Sequence, residues 1–210
     1  VAAIIILFLK NMTKNKRSVK YMAENDVRKT IDAIPRQSFL DFRDRAILET
    51  LFSTGLRVSE LVSLARMEYD ALDASKNGTK ELSILGKGGY RRVVFFSPRA
   101  VLALSEYLKQ RNDGDARLFP CDKRTVQYMV ERRGISAGIP FKLTPHMFRH
   151  SYATNLLKKG VNLFDVKGFL GHRNISSTEK YLHTSNLELL TIHEKIYGKK
   201  YEQLVEKVKN

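Results

Sequence analysis

Apolar side chains recur about every 3.6 residues along most of the chain, the spacing that places them on one face of a helix. Glycine and proline residues interrupt this pattern where helices commonly end, so the helix that starts near Leu40 is expected to stop near Gly55. The predicted helices cover residues 24–34, 40–55, 58–64, 101–108, 125–133, 145–159, 162–170, 176–182, 187–196 and 201–208.

The middle of the chain has a different pattern. Two short β-prone runs, 81–85 and 91–96, are separated by a glycine-rich connection that contains Lys87, an arrangement typical of a hairpin. A third run, 67–72, is predicted to add one more strand. The sequence therefore predicts a mainly α fold with a small three-stranded antiparallel β-sheet, in the α+β class.

Charge narrows the class of partner. The 210 residues include 37 Lys and Arg against 22 Asp and Glu, a formal net charge of +15, which favours a polyanion such as nucleic acid or an anionic membrane surface. A hydrophobic content of 43% excludes intrinsic disorder. Cys121 is the single cysteine, so an intrachain disulfide and a cysteine-based zinc finger are excluded.

The N-terminal residues carry two further signals. Residues 1–9 are apolar but fall well short of the about 20 that a membrane span needs, and they are interpreted as the end of a buried helix from an upstream domain. No long basic amphipathic helix follows, which argues against membrane binding. A run of basic residues is predicted either to follow a phosphate backbone or to form a solvated connector. These residues are Lys10, Lys14, Lys16, Arg17 and Lys20.

Two helix starts combine cations with backbone N–H groups. Arg57 comes just after Gly55, where it suits an anion, although a surface pair with Glu60 at i,i+3 is the simpler interpretation of that segment alone. His146 and Arg149 share a helix face after Pro145 and form a predicted phosphate clamp.

Zinc binding is the alternative for the second helix start. His146 and His150 have the i,i+4 spacing of a zinc pair, but Met147 replaces the glutamate of the catalytic zinc motif. A metal site is therefore not predicted.

Taken together, four segments resemble the catalytic domain of the tyrosine recombinases, the family of phage integrases and Xer-like chromosome-dimer-resolving recombinases. The resemblance extends from about residue 18 to residue 185, with the motifs in the family's order. The segments are TGLRVSEL at 54–61, LGKGGYRR at 85–92, TPHMFRHSYAT at 144–154 and LGHRNISSTEKYLH at 170–183.

The resemblance implies a role for each matching residue. Arg57 and Arg149 would hold the scissile phosphate, and Tyr181 would be the nucleophile that forms a 3′-phosphotyrosyl link. Either His146 or His172 would serve as the base, which the sequence leaves open, and Lys87 as the general acid. Glu60 would support the site. The implied catalytic residues are Arg57, Lys87, His146, Arg149, His172 and Tyr181.

The same resemblance implies the partners and the domain organisation. Double-stranded attachment-site DNA would be the substrate, contacted also by Arg91 and Arg92, with no metal or other cofactor. Self-association into a tetrameric synapse and a cytoplasmic location at the nucleoid are expected. Residues 1–17 would be a linker or remnant of a core-binding domain, 18–185 the catalytic domain, and 186–210 a helical tail that docks on a neighbouring protomer or on its own domain.

Two other functions remain open at this point. A type IB topoisomerase shares much of the same cage but relaxes DNA without strand exchange, and the LGH-to-tyrosine spacing argues against it. A catalytically inactive DNA-binding relative would have no reason to keep all six catalytic positions.

Overall fold

The computed structural model describes residues 22–86, 89, 91–171 and 193–194, and there it is mostly helical with one antiparallel hairpin. This confirms the predicted fold class. The predicted helices at 176–182 and 201–208 and the apolar segment 1–9 lie outside the described residues. The elements are α1 (Glu24–Asp32), α2 (Phe39–Thr54), α3 (Val58–Leu61), α4 (Arg66–Asp70), β1 (Lys80–Leu85), β2 (Arg91–Phe96), α5 (Pro98–Gln110), α6 (Lys123–Ser136), α7 (Pro145–Lys158) and α8 (Leu163–Leu170).

Helix α2 is the centre of the fold. It begins at Ser38, whose hydroxyl accepts a hydrogen bond from Asp41 N at 3.2 Å, and it ends at Gly55, whose positive φ of 61° closes the helix as predicted. Most of its side chains are buried because α1, α5, α7 and β2 surround it. This packing holds the C-terminal end of α2, and with it the position of Gly55.

The hairpin is confirmed, with Leu85 opposite Arg91 and Lys80 opposite Phe96. Among the described residues the sheet has two strands, so the prediction of a third strand at 67–72 is wrong. Residues 66–70 form α4 instead: Met67 is 82% exposed and Tyr69 3% exposed, whereas a strand would place both side chains on one face. An Arg66–Asp70 ion pair of 3.2 Å spans one helical turn there.

Helices α7 and α8 share a second apolar cluster with strand β2. The Phe169 ring meets Phe95 edge-on at 5.9 Å between centroids and Tyr152 at 6.4 Å. Phe148, Tyr152 and Leu156 are buried and anchor α7 to the core. This packing fixes the N-terminal end of α7 beside the C-terminal end of α2.

Helix α6 is attached to α2 by buried charges. Arg133 Nη2 lies 2.7 Å from Asp41 Oδ1, and Arg133 Nε donates to Asp44 Oδ2 at 2.8 Å. Asp44 is fully buried and also pairs with Arg43, Nη2 to Oδ1 at 2.7 Å, so removal of Arg133 would leave this buried carboxylate with one of its two arginines. None of the helices in the described ranges has the length and apolar character needed to cross a bilayer.

Substitution of Gly55 should disturb the junction of α2 and α7. An alanine Cβ there would lie 2.4 Å from Tyr152 Cδ1, in addition to the strain of a φ of +61°. Gly160→Ala is the matched control, because Gly160 has a φ of +85° but nothing within 4 Å of its Cβ position. We expect both variants to lose about 1–2 kcal/mol for the left-handed backbone. Gly55→Ala should lose about 1–3 kcal/mol more from overpacking.

Urea unfolding of the two glycine variants and the wild type measures the difference. Equal free energies of unfolding for Gly55→Ala and Gly160→Ala would show that the contact between Gly55 and the Tyr152 ring does not constrain the fold.

Candidate active site

The residues just after Gly55 form the first part of the site. Arg57 caps the short helix α3, and its Nη1 donates to Glu60 Oε1 at 2.8 Å while its backbone N–H donates to Oε2 at 2.8 Å. The predicted i,i+3 pair therefore exists. It is not a surface pair, because Glu60 is only 8% exposed whereas the Arg57 side chain is 32% exposed.

A second arginine completes this cluster from strand β2. Arg92 forms a two-pronged contact with the Glu60 carboxylate, Nη1 to Oε1 at 2.9 Å and Nη2 to Oε2 at 2.8 Å. Such parallel bonds are among the strongest charge-assisted contacts in proteins. The sequence predicts Arg92 as a DNA contact, but in this structure its guanidinium holds Glu60, and the contact with DNA stays a prediction.

The two arginines keep Glu60 ionised. Burial by itself raises the pKa of this carboxyl, but hydrogen bonds from Arg92 and from the Arg57 backbone, and the positive charge of Arg92, lower its pKa from 4.5 to about 2. Glu60 therefore carries a full negative charge at neutral pH and holds both guanidiniums in place.

Arg149 is the buried cation of the site. It lies on α7 and is 5% exposed. Its Nη1 donates to Gly55 O, and its Nη2 donates to Leu170 O at 2.6 Å. Both carbonyls lie at helix C-terminal ends, where the backbone dipoles favour a cation. Burial first, then the charges of Arg57 and Arg92, lower the pKa of Arg149 to about 10, so the guanidinium remains charged at neutral pH.

Arg57 and Arg149 line one cavity of about 600 Å³ between α6 and the N-terminal end of α7. The cavity is basic, and Glu131 on its wall forms an ion pair with Lys142 of 2.8 Å. Its basic lining residues are Arg57, Arg124, Lys142, His146 and Arg149.

Three lining residues, Arg124, Tyr128 and Lys142, were not predicted from the sequence. Arg124 and Tyr128 are exposed on one face of α6, and Lys142 is exposed in the connection that follows. The basic pair that opens α6 was a signal for Arg124 alone, because which face of α6 borders the cavity depends on tertiary packing.

The two histidines of α7 occupy different environments. His146 is exposed at the cavity, and His150, one turn later, is half-buried. Burial first, and then the nearby His146, lowers the pKa of His150, which favours its neutral form. Within the described ranges no three His, Cys, Asp or Glu side chains are grouped to hold a metal ion.

Several predicted site residues lie outside the described residues. In the segment that begins at Leu170, the description stops at Gly171, which ends α8 with a φ of 62°. The roles predicted for these residues stay predictions. They are Lys10, Lys14, Lys16, Arg17, Lys20, Lys87, His172 and Tyr181. Arg91 is described and is exposed at the start of β2.

Known proteins are similar to this chain in sequence. The tyrosine recombinase XerC of Pelobacter propionicus is 38% identical over 165 residues, which are 75% of this chain and 53% of that protein. The tyrosine recombinase XerD of Vibrio cholerae is 35% identical over 190 residues, 84% of this chain and 61% of that protein.

Solved structures show the same fold. The crystal structure of XerA recombinase aligns with a TM-score of 0.63 and 27% identity over 84% of this chain and 64% of that one. XerH site-specific recombinase, bound to its difH substrate before cleavage, aligns with a TM-score of 0.62 and 25% identity over 81% of this chain and 52% of that one.

The chain spans only part of these relatives, 53% of the XerC protein and 61% of the XerD protein. The family model described as the phage integrase family matches residues 20–188, including all four motif segments. Because this match covers well over half of the 210 residues, the chain belongs to the phage integrase family.

Proposed function

We propose that this chain is the catalytic part of a site-specific recombinase that cuts and rejoins duplex DNA through a covalent 3′-phosphotyrosyl intermediate. The observation that carries the proposal is that Arg57 and Arg149, far apart in sequence, line one basic cavity together with His146. Membership of a family whose similar members are named tyrosine recombinases supports the reaction type.

The cavity suits the charge that develops on a phosphodiester during attack. Substitution at phosphorus places extra negative charge on the non-bridging oxygens, and guanidiniums offer planar, permanently charged donors for them. Two of the five donors of Arg149 are held by the Gly55 and Leu170 carbonyls, which aim the rest of the group. Preorganised donors of this kind contribute on the order of 3 kcal/mol each to transition-state stabilisation.

The chemical steps use residues of three motif segments, 85–92, 144–154 and 170–183. Tyr181 Oη would attack phosphorus as its proton passes to His146 or His172, while the leaving 5′-oxygen takes a proton from Lys87. The phosphodiester bond is exchanged for a phosphotyrosyl bond of similar energy, so a 5′-hydroxyl can reverse the step without ATP. Because the guanidiniums supply the positive charge, the proposed reaction needs no metal ion.

DNA flanking the cleaved phosphate would be held along its backbone by further basic residues, the exposed Arg91 and the cations of residues 10–20. In the proposed organisation residues 18–185 catalyse, residues 1–17 connect to a core-binding domain, and residues 186–210 link protomers of a tetrameric synapse. The XerH relative is bound to difH substrate, which supports duplex DNA as the substrate class.

Tyr181→Phe should abolish the covalent complex while leaving DNA affinity unchanged, because only the attacking oxygen is lost. The assay uses a set of duplexes with the sequence that the wild-type chain selects from a randomised pool, each nicked at a different position. A nick lets the short fragment that carries the released 5′-hydroxyl diffuse away, which traps the protein–DNA adduct for separation on a denaturing gel.

Tyr107→Phe is the matched control for this tyrosine substitution, because Tyr107 is buried in the core, stacked on Phe119 at 5.7 Å between centroids. The control should form adducts at the wild-type rate. Adducts formed by Tyr181→Phe would remove Tyr181 as the nucleophile.

Arg149→Lys should slow adduct formation by about 10²-fold or more, because a lysine keeps the charge but loses the fork that two carbonyls orient. Single-turnover rates at saturating nicked duplex measure the loss. Arg66→Lys, a surface arginine paired with Asp70 on α4, is the control and should react at the wild-type rate. A wild-type rate for Arg149→Lys would show that charge alone, without the planar fork, accounts for the site.

Glu60→Gln should destabilise the chain in a pH-dependent way. The folded-state pKa of about 2 lies below the usual 4.5, so the carboxylate stabilises the fold fully above pH 4.5 and this contribution is lost as the pH falls towards 2. Removing one partner of a buried ion pair costs on the order of 3 kcal/mol, which is the loss expected near neutral pH.

Urea unfolding of Glu60→Gln and wild type at neutral pH and at about pH 3 tests the sign. The difference in free energy of unfolding should shrink at the lower pH. Glu68→Gln, at an exposed position on α4, is the control and should differ little from wild type at either pH. A Glu60→Gln deficit that is constant with pH would contradict the ionised, paired state of Glu60.

A further inference from the structure

Arg92 differs from its sequence neighbour Arg91 although both lie in strand β2. Successive side chains of a strand point to opposite faces, and here Arg91 is exposed whereas the Arg92 side chain is only 8% exposed. The two arginines of the same motif therefore face different surroundings.

The first contact of Arg92 is the Glu60 carboxylate, 32 residues earlier in the chain. Each carboxylate oxygen accepts one bond from Arg92 and one from Arg57, all four between 2.8 and 2.9 Å. The position of the Arg57 guanidinium, which lines the cavity, therefore depends on a carboxylate that Arg92 holds from the other side.

The second contact of Arg92 is the backbone at the end of α8. A Cβ placed on Gly171 would lie 2.6 Å from Arg92 Cδ and 3.2 Å from its Nε and Nη1, so the arginine lies directly over this glycine. Gly171 has a φ of 62°, and it immediately precedes His172 in the chain. The same helix end supplies the Leu170 carbonyl that accepts from Arg149.

We propose that Arg92 is a positioning residue that couples the Arg57–Glu60 pair to the turn that leads into His172, and that it does not bind a DNA phosphate. The inference rests on the proposed recombinase function. The Arg92 side chain contacts both Glu60 of α3 and Gly171 at the end of α8, and so sets the spacing between these two elements. Arg149 donates to the Leu170 carbonyl at the same end of α8.

The alternative is that Arg92 leaves Glu60 and binds a phosphate. That movement would leave the 8% exposed Glu60 carboxylate with Arg57 alone, and an under-compensated buried charge is costly. The contact with Gly171 also restricts the Arg92 side chain along its aliphatic part. The geometry therefore favours a fixed role over a DNA contact.

Two substitutions separate these roles. Arg92→Met removes the charge at similar length, and Arg92→Lys keeps a charge that can bind a phosphate but cannot form the two-pronged contact with Glu60. If Arg92 positions the site, both variants should lower the single-turnover rate of adduct formation at saturating nicked duplex by at least about 10-fold. Their dissociation constants and salt dependence should stay at wild-type values.

A phosphate contact gives the opposite pattern. Loss of one contact would reduce the slope of log affinity against log salt by about 0.9 in Arg92→Met, and Arg92→Lys would resemble wild type in both rate and slope. That pattern, or wild-type rates in both variants, overturns the proposal. Arg91→Met, at the exposed neighbour, is the control and should show the slope change of a lost backbone contact.

A double substitution tests the contact with Gly171 directly. Gly171→Ala should slow adduct formation because its Cβ would meet Arg92, and in Gly171→Ala combined with Arg92→Ala the two losses should be less than additive, because that overlap is then removed. Additive losses would show that Arg92 and Gly171 act on the reaction independently. Rates are taken from folded protein well below its unfolding transition, and Arg92→Lys decides if Arg92→Met does not fold.

The wild-type chain serves as the reference for both proposals. No adduct from the wild type on the whole set of nicked duplexes would count against the recombinase function itself. An active wild type with unimpaired Arg92 variants would count against the positioning role alone.

Discussion

The buried carboxylate of Glu60 is the interaction on which the site depends. Guanidiniums of Arg57 and Arg92 contact it directly, and the charges of both lower the pKa of the buried Arg149 nearby. Three cations of one sign repel each other in a region of low dielectric constant, and a single anion held at a pKa of about 2 offsets part of that repulsion. Without it more of that repulsion would remain between the arginines of the folded chain.

Backbone carbonyls provide the second part of the compensation. The fold ends two helices, α2 and α8, at glycines with a positive φ, and the carbonyls of Gly55 and Leu170 accept from the same Arg149 side chain. Glycine is needed at position 55 for a further reason, since the Tyr152 ring occupies the place of a side chain. Gly55 therefore both allows α7 to pack on α2 and supplies a carbonyl that orients Arg149.

Local signals in the sequence predicted most elements because they act within a few residues. The stop of α2 at Gly55, the start of α7 at Pro145 and strand β2 follow from a left-handed glycine, a proline at the first helical position and β-branched residues. Helix α4 replaces the strand expected at 67–72, and among the described residues the chain pairs just before this helix, at Ala65 with Arg117.

Contacts between residues far apart in the sequence could not be predicted from these local signals. The Arg57–Glu60 pair lies within one turn and was predictable, whereas nothing local distinguishes Arg92 from Arg91 before the β2 side chains are assigned to faces. The link between Arg133 and Asp41 spans 92 residues, and the face of α6 that borders the cavity depends on it. Motif resemblance named Arg57 and Arg149 as partners, but only tertiary structure shows that the carbonyls of Gly55 and Leu170 orient the second of them.

Charge balance also connects the stability of the chain to its substrate. At the site three guanidiniums face one carboxylate, so positive charge remains in excess even after the ion pairs form. A bound phosphate would remove part of this repulsion, and any ligand that binds only the folded state stabilises it. The overall surplus of +15 thus has two components that act differently. Salt screens exposed cations such as Arg91. It screens the positive charge around the buried Arg149 much less, and an anion that entered the cavity would offset that charge.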